Sequence, residues 1–280
     1  MRKLIRLFAV LVICSILSPQ FAVAADAVEG LKTKRLLMLG QSPDGHPWST
    51  HEYMSGLGIL AKCLQDVPGL QMVIERADEP WERGPELIDG ADGIVVFLSQ
   101  GAKWIQQDPA RLAAFQAFQA RGGSLVVLHW GMGCVEARYI DAFVKLFGGC
   151  HGGPDRKHKV VRVRAEAASS DHPIVNGIGG FDVEEEFYYA LKFVKPAGTV
   201  TPLLKVSIDG NTETVAWSWQ RSDGGRSFGF SGGHFHRNWK LPEYRRLVSQ
   251  GILWTLDLPV PPAGLPVNVA PKDLVLPERK

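Results

Sequence analysis

Gly122-Gly123-Ser124-Leu125-Val126-Val127-Leu128-His129-Trp130-Gly131-Met132-Gly133 is the stretch that decides the fold. The glycine pair closes whatever helix precedes it. Leu125 to Leu128 is an unbroken apolar run, too short for a helix and without the alternation of a half-exposed strand. It reads as a strand covered on both faces, the kind a parallel sheet requires. A histidine stands at its carboxyl end, and glycines follow it into the next turn.

Reading outward, Asp108-Pro109 opens a helix over residues 108–121, with Asp108 as N-cap and proline at the first helical position. Residues 93–98 form a second continuous apolar run, residues 70–75 a shorter strand, and residues 35–40 the first strand of the chain. Residues 51–65 read as a helix capped by Ser49 or Thr50. Strands separated by helices predict a mostly parallel central sheet with helices on both faces. The second half changes character. Residues 159–164 alternate, and strands over 203–208, 214–220 and 226–231 are separated by Asp209-Gly210-Asn211 and Asp223-Gly224-Gly225 turns. A closing helix spans 241–256, and a proline-rich tail, 259–280, should run extended on the surface or be mobile. The fold class is therefore α/β: a flavodoxin-like three-layer α/β/α domain with an elaborated second half.

At the N-terminus, Arg2, Lys3 and Arg6 precede an apolar stretch, and Ala22-Val23-Ala24 offers small residues for cleavage. Residues 1–24 read as a secretory signal, residues 25–258 as the working domain, and the protein as exported to a periplasmic or extracellular space. No transmembrane segment is expected once the signal is removed. Loss of Arg2, Lys3 and Arg6 takes the 31 basic residues to 28 against 29 acidic ones, a formal charge of −1. That balance offers no surface for a polyanion, so nucleic acid is not an expected partner. Of the four cysteines, Cys63, Cys134 and Cys150 remain. They read either as three buried thiols or as one bridge, with Cys134 and Cys150 the nearer pair. Eight tryptophans, several beside histidines or glycines, suit the stacking of sugar C–H faces on aromatic rings.

In an open α/β sheet, ligands bind beyond the carboxyl ends of the strands. Four predicted strand ends carry polar loops: residues 41–48 with His46, then Ser99-Gln100, then His129-Trp130, and finally Gly232 through Asn238 with His234 and His236. His129 takes the place of a nucleophile elbow, where histidine serves as base or metal ligand and not as an acyl-transfer nucleophile. His234-Phe235-His236 has the spacing that turns two side chains of an extended segment to one side, where both could hold one metal. Glu184, Glu185 and Glu186 are the candidate carboxylates, with Tyr188 and Tyr189 just after them; in a strand Glu184 and Glu186 share one face. His151 lies in a glycine-rich turn, and His172 in an Asp-His-Pro-Ile turn where it serves structure.

These motifs, in this order, resemble the ThuA-like (trehalose-utilisation) family of the class I glutamine-amidotransferase-like fold. The match runs through the Gly122–His129 stretch, Asp171-His172-Pro173-Ile174, Glu186-Phe187-Tyr188, Thr214-Val215-Ala216-Trp217, Gly225 to Phe230, Gly233-His234 and Gly251-Ile252-Leu253-Trp254. The resemblance implies one flavodoxin-like domain with a role in sugar metabolism. Glutamine-amidotransferase activity is not expected, because the elbow cysteine and the His-x-Glu pair are both absent: Phe235 stands where glutamate is common. The expectation is an exported protein acting on a sugar or glycoside as a hydrolase or lyase. His129, His234 and Glu186 are the catalytic candidates. His46, Trp130, Tyr188, Trp217, His236 and Asn238 are the substrate-binding candidates. A divalent metal such as zinc, if used, would sit among His129, His234 and His236. A non-catalytic carbohydrate-binding or partner-binding protein of the same fold is the alternative.

Overall fold

The structure, a computed structural model, describes residues 32–196 and 199–276; the expected signal lies outside them. In chain order the elements are β1 (Lys34–Gly40), α1 (Tyr53–Leu64), β2 (Leu70–Arg76), α2 (Gly84–Asp89), β3 (Gly93–Val96), α3 (Gly101–Gln107), α4 (Pro109–Ala120), β4 (Ser124–Leu128), β5 (Gly133–Cys134) and α5 (Ile140–Phe147). There follow β6 (Gly149–Gly152), β7 (Lys157–Ala167), β8 (Phe181–Tyr189), β9 (Lys192–Phe193), β10 (Thr201–Ile208), β11 (Asn211–Gln220), β12 (Arg226–Phe230) and α6 (Pro242–Thr255).

The main sheet runs β2-β1-β3-β4-β12-β11-β10-β7-β8. The five strands from β2 to β12 pair in parallel. The four that follow are antiparallel, and they are the elaboration the sequence placed in its second half. Alternation along the parallel strands divides the core in two. Leu36, Met38, Val95, Val126 and Leu128 face one way, onto Leu57 and Leu60 of α1 and Val248 and Ile252 of α6. Leu37, Leu39, Ile94, Val96 and Val127 face the other, onto Ile105, Phe115 and Phe118 of α3 and α4 and Phe143 of α5. Successive side chains of a strand point to opposite faces, so continuous apolar runs produce three layers.

Two expectations change. The helix expected from residue 51 begins at Tyr53 instead. Ser49 and His51 have φ of 71° and 53°, and Thr50 forms an isolated antiparallel bridge with Phe235. A long-range pairing thus takes this segment from the helix. The described part of the proline-rich tail is extended only up to a short helical turn at Pro271–Leu274, and it is seated: Val267 is 2 % exposed. Arg245 and Arg246 of α6 donate to the Val267 and Leu265 carbonyls. The compact unit therefore continues past Leu258. Cys63, Cys134 and Cys150 are buried thiols. Among the described residues no helix is long and apolar enough to cross a membrane.

The turn after β4 is fixed by a close backbone approach. A Cβ on Gly101 would lie 2.0 Å from the Gly131 carbonyl oxygen, and one on Gly131 would lie 2.5 Å from that of Val96. Backbone atoms cannot swing aside as a side-chain tip can, so α3 and the His129 turn must separate to admit a methyl group. Gly101→Ala should cost about 1–3 kcal/mol, or more if neither backbone yields. Chemical denaturation checks it, and an unchanged midpoint would mean that the turn is loosely packed.

Candidate functional site

The carboxyl ends of β1, β3, β4 and β12 lie side by side, and the loops leaving them bring together residues far apart in sequence. His129 follows β4 with φ of 45°, a left-handed conformation that a non-glycine residue adopts at a cost. It is wholly buried. Its Nδ1 is 2.8 Å from the Ser231 carbonyl at the end of β12. A carbonyl only accepts, so Nδ1 carries the proton and Nε2 presents a lone pair. The Tyr188 hydroxyl lies 3.1 Å from that Nε2, and its ring stacks on the imidazole.

His51, which the helix expectation hid, completes the cluster. Its Nε2 is 3.0 Å from His129 Nε2 and 3.0 Å from His234 Nδ1. Its Nδ1 faces Asp44 Oδ2 at 2.9 Å, and the Tyr53 hydroxyl donates to the same oxygen at 2.6 Å. Burial pulls the Asp44 carboxyl upward, but hydrogen bonds from His51 and Tyr53 outweigh it and hold the group well below the usual range. His46 packs flat on His51 with ring centroids 3.7 Å apart, and its Nδ1 reaches Asp44 Oδ1 at 2.7 Å. Burial and the nearby His51 and His234 push His129 well below its ordinary pKa. Burial lowers His234 to about 3. Both imidazoles are therefore neutral at pH 7, able to accept a proton or bind a cation.

His234 is held by an element outside its own loop. Glu185 of β8 is fully buried. It accepts from the Tyr244 hydroxyl at 2.6 Å, from Asn238 Nδ2 at 3.0 Å and from the backbone of Gly233 at 3.2 Å. Burial raises its pKa, and these hydrogen bonds oppose the rise. His51 also donates its backbone N–H to the His234 carbonyl at 3.0 Å. The two loops are thereby latched to each other beneath the imidazoles.

The structure brings together five of the residues expected from sequence: His129, His234, Tyr188, His46 and Glu186. Glu186 sits at the rim, with Oε1 3.6 Å from His234 Nδ1 and Oε2 3.5 Å from exposed His158. Trp130 stands beside them, its ring centroid 5.7 Å from that of Tyr188. Three expected residues lie elsewhere. Trp217 is a core residue, wholly buried and donating from Nε1 to the Phe147 carbonyl. His236 begins a short helical turn over His236–Lys240, which rotates it away from His234. Its Nε2 meets the Leu274 carbonyl instead, so the His-x-His pair does not converge. Asn238 binds the Glu184 carbonyl and Glu185, supporting the loop from behind. Sequence reasoning missed His51, Asp44 and Tyr53, and it named Glu185 only as one of three candidate carboxylates. Asp44 lies on the polar loop over residues 41–48, its only local signal, while His51 falls in the segment read as helix. His151 also reaches the site, stacked on Tyr188 at 4.0 Å and lowered to about 3 by burial.

The sequence has a counterpart among known families. The family described as ThuA, trehalose utilisation, matches residues 75–255. The chain belongs to the ThuA family. Two solved ThuA-like proteins share the fold. One, from Bacteroides uniformis, has a TM-score of 0.63 at 16 % identity, over 81 % of this chain and 92 % of its own. The other, from Parabacteroides merdae, has a TM-score of 0.61 at 13 % identity, over 80 % of this chain and 90 % of its own. No curated protein matches the sequence significantly. The ThuA-family region takes in β3 to α6 and so includes His129, Glu185, Tyr188 and His234, while Asp44, His46 and His51 precede it.

Proposed function

We propose that this ThuA-family protein is an exported enzyme of carbohydrate utilisation that binds a sugar or glycoside against the histidine cluster and acts on it as a hydrolase or lyase. The observation that carries the reading is the fixed protonation pattern of His129. The Ser231 carbonyl holds the proton on Nδ1, so a neutral Nε2 is left facing Tyr188, His51 and His234. A base so oriented takes a proton from a sugar hydroxyl or from water, and the Tyr188 hydroxyl beside it returns one to an oxygen. Around this pair stand the surfaces a sugar needs. Trp130 offers an aromatic face, and Glu186 and His46 offer polar atoms at the rim, where the His46 side chain is 41 % exposed. Trp48, on the same loop as His46, is 52 % exposed. Export is supported by the charged, apolar and small-residue segments of residues 1–24.

The test is to incubate the mature chain with trehalose and with a panel of α- and β-glycosides, following substrate loss and product formation by chromatography. Turnover of one class by the wild type, lost in a His129 variant, supports the reading. Saturable binding without turnover would identify a carbohydrate-binding protein instead. Trp130→Ala should weaken sugar binding about tenfold, the worth of one stacking contact, with melting temperature within a few degrees of wild type. Calorimetric titration checks it, and unchanged affinity would remove Trp130 from the sugar's path.

A further inference from the structure

His51 Nε2 and His129 Nε2 face each other at 3.0 Å, and neither has a proton to share. Each Nδ1 is committed to an acceptor, His129 to the Ser231 carbonyl and His51 to the ionised Asp44 carboxylate. A neutral imidazole has one N–H, so both Nε2 atoms present lone pairs. Two opposed lone pairs at hydrogen-bond distance repel unless a positive species lies between or beside them. A proton on His234 Nδ1 would give His51 Nε2 a donor, as the Tyr188 hydroxyl gives one to His129 Nε2, but neither lies between the two facing nitrogens. His234 Nδ1, 3.0 Å from His51 Nε2, brings a third nitrogen to the same point. The three ligand atoms lie within 4.8 Å of one another on buried side chains.

We infer that His51 Nε2, His129 Nε2 and His234 Nδ1 form a three-histidine site for a divalent first-row transition metal. Two nitrogens each about 2.1 Å from a metal, at right angles about it, are about 3.0 Å apart; tetrahedral placement spreads them to about 3.4 Å. His51 stands at 3.0 Å from both neighbours, the right-angle value. All-nitrogen ligation suits zinc, copper, nickel or iron more than calcium or magnesium. The outer partners are those of a histidine metal site: a carboxylate behind His51 and a backbone carbonyl behind His129, each fixing the ring and its tautomer. Asp44, His46 and His51 are also close enough to hold an ion. There, however, both carboxylate oxygens already accept from imidazole nitrogens, at 2.7 and 2.9 Å, with no conflict for a cation to relieve.

The inference deepens the proposed function and rests on it only for what the ion would do, which is to polarise a sugar oxygen or water bound at the cluster. Binding itself needs no sugar. Untagged wild-type chain, stripped with chelator and dialysed, is titrated with Zn²⁺ by calorimetry and with Co²⁺ by visible absorption. One equivalent should bind. His51→Ala, His129→Asn and His234→Ala should each weaken binding by about 100-fold or more, and Asp44→Asn by about 10- to 100-fold through the second shell. His236→Ala should leave affinity unchanged, since that ring points to Leu274. Melting curves of each apo variant show that the fold survives. Absence of saturable binding of either ion would overturn the inference. Binding that persists in the His51 and His129 variants would overturn it as well. Metal binding without sugar binding in either form would instead defeat the sugar reading and leave the metal site standing.

Discussion

His129→Asn is expected to lower turnover of a sugar substrate by about 10²- to 10⁴-fold while the protein remains folded. The factor is what a positioned general base contributes. Asparagine is chosen because it tolerates the left-handed backbone that His129 occupies at φ 45° and can still donate to the Ser231 carbonyl. What is lost is the basic nitrogen beside Tyr188 and His51. The fold should survive because β4 is held by its neighbours β3 and β12 through Val96, Val127 and Gly229, not by the imidazole. A steady-state comparison, with circular dichroism to check folding, decides the matter. Near-normal turnover in a folded variant would move the chemistry away from β4.

Val127→Asp should have the opposite profile and abolish the folded state before any question of activity arises. Val127 is wholly buried at the centre of β4, aligned with Val96 on one side and Gly229 on the other. It packs into the apolar cluster containing Ile105, Phe115 and Phe118. Such a group must be buried charged or taken up protonated, and either costs at least a few kcal/mol. A protein of ordinary stability, about 5–15 kcal/mol, keeps little margin after that loss. The check is soluble yield together with melting temperature, and a normal melting curve would place this segment at the surface.

The parallel half of the fold is legible in the sequence because its signals are local. Asp108 caps α4 through the Ala110 and Arg111 amides, and Pro109 takes the first helical position, as the dipeptide indicates. The apolar runs at β3 and β4 are buried throughout. The site is only half legible, since its members are selected by contacts between loops. Nothing local tells His51 that its backbone will pair with His234, so a helical start is the natural reading of Ser49-Thr50-His51. Nothing local separates Glu185 from Glu184 and Glu186 except strand parity. Parity puts Glu185 on the buried face, under Tyr244 and Asn238, and leaves its neighbours at the rim. His236 fails for the same reason in reverse. Spacing of two converges only while the chain stays extended, and it turns helical at that residue.

The most direct measurement follows the histidine ring and backbone amide resonances by nuclear magnetic resonance in ¹⁵N-labelled protein as sugar is added. A hollow lined by Ser170, Asn176 and Pro262 offers a second place where a ligand could lodge, away from any histidine of the cluster. With trehalose or the glycoside that is turned over, we expect saturable shifts at His51, His129 and His234 and none at residues of that hollow. Saturable binding that leaves these three rings unmoved, with the shifts at Asn176 and its neighbours instead, would contradict a sugar site at the histidine cluster.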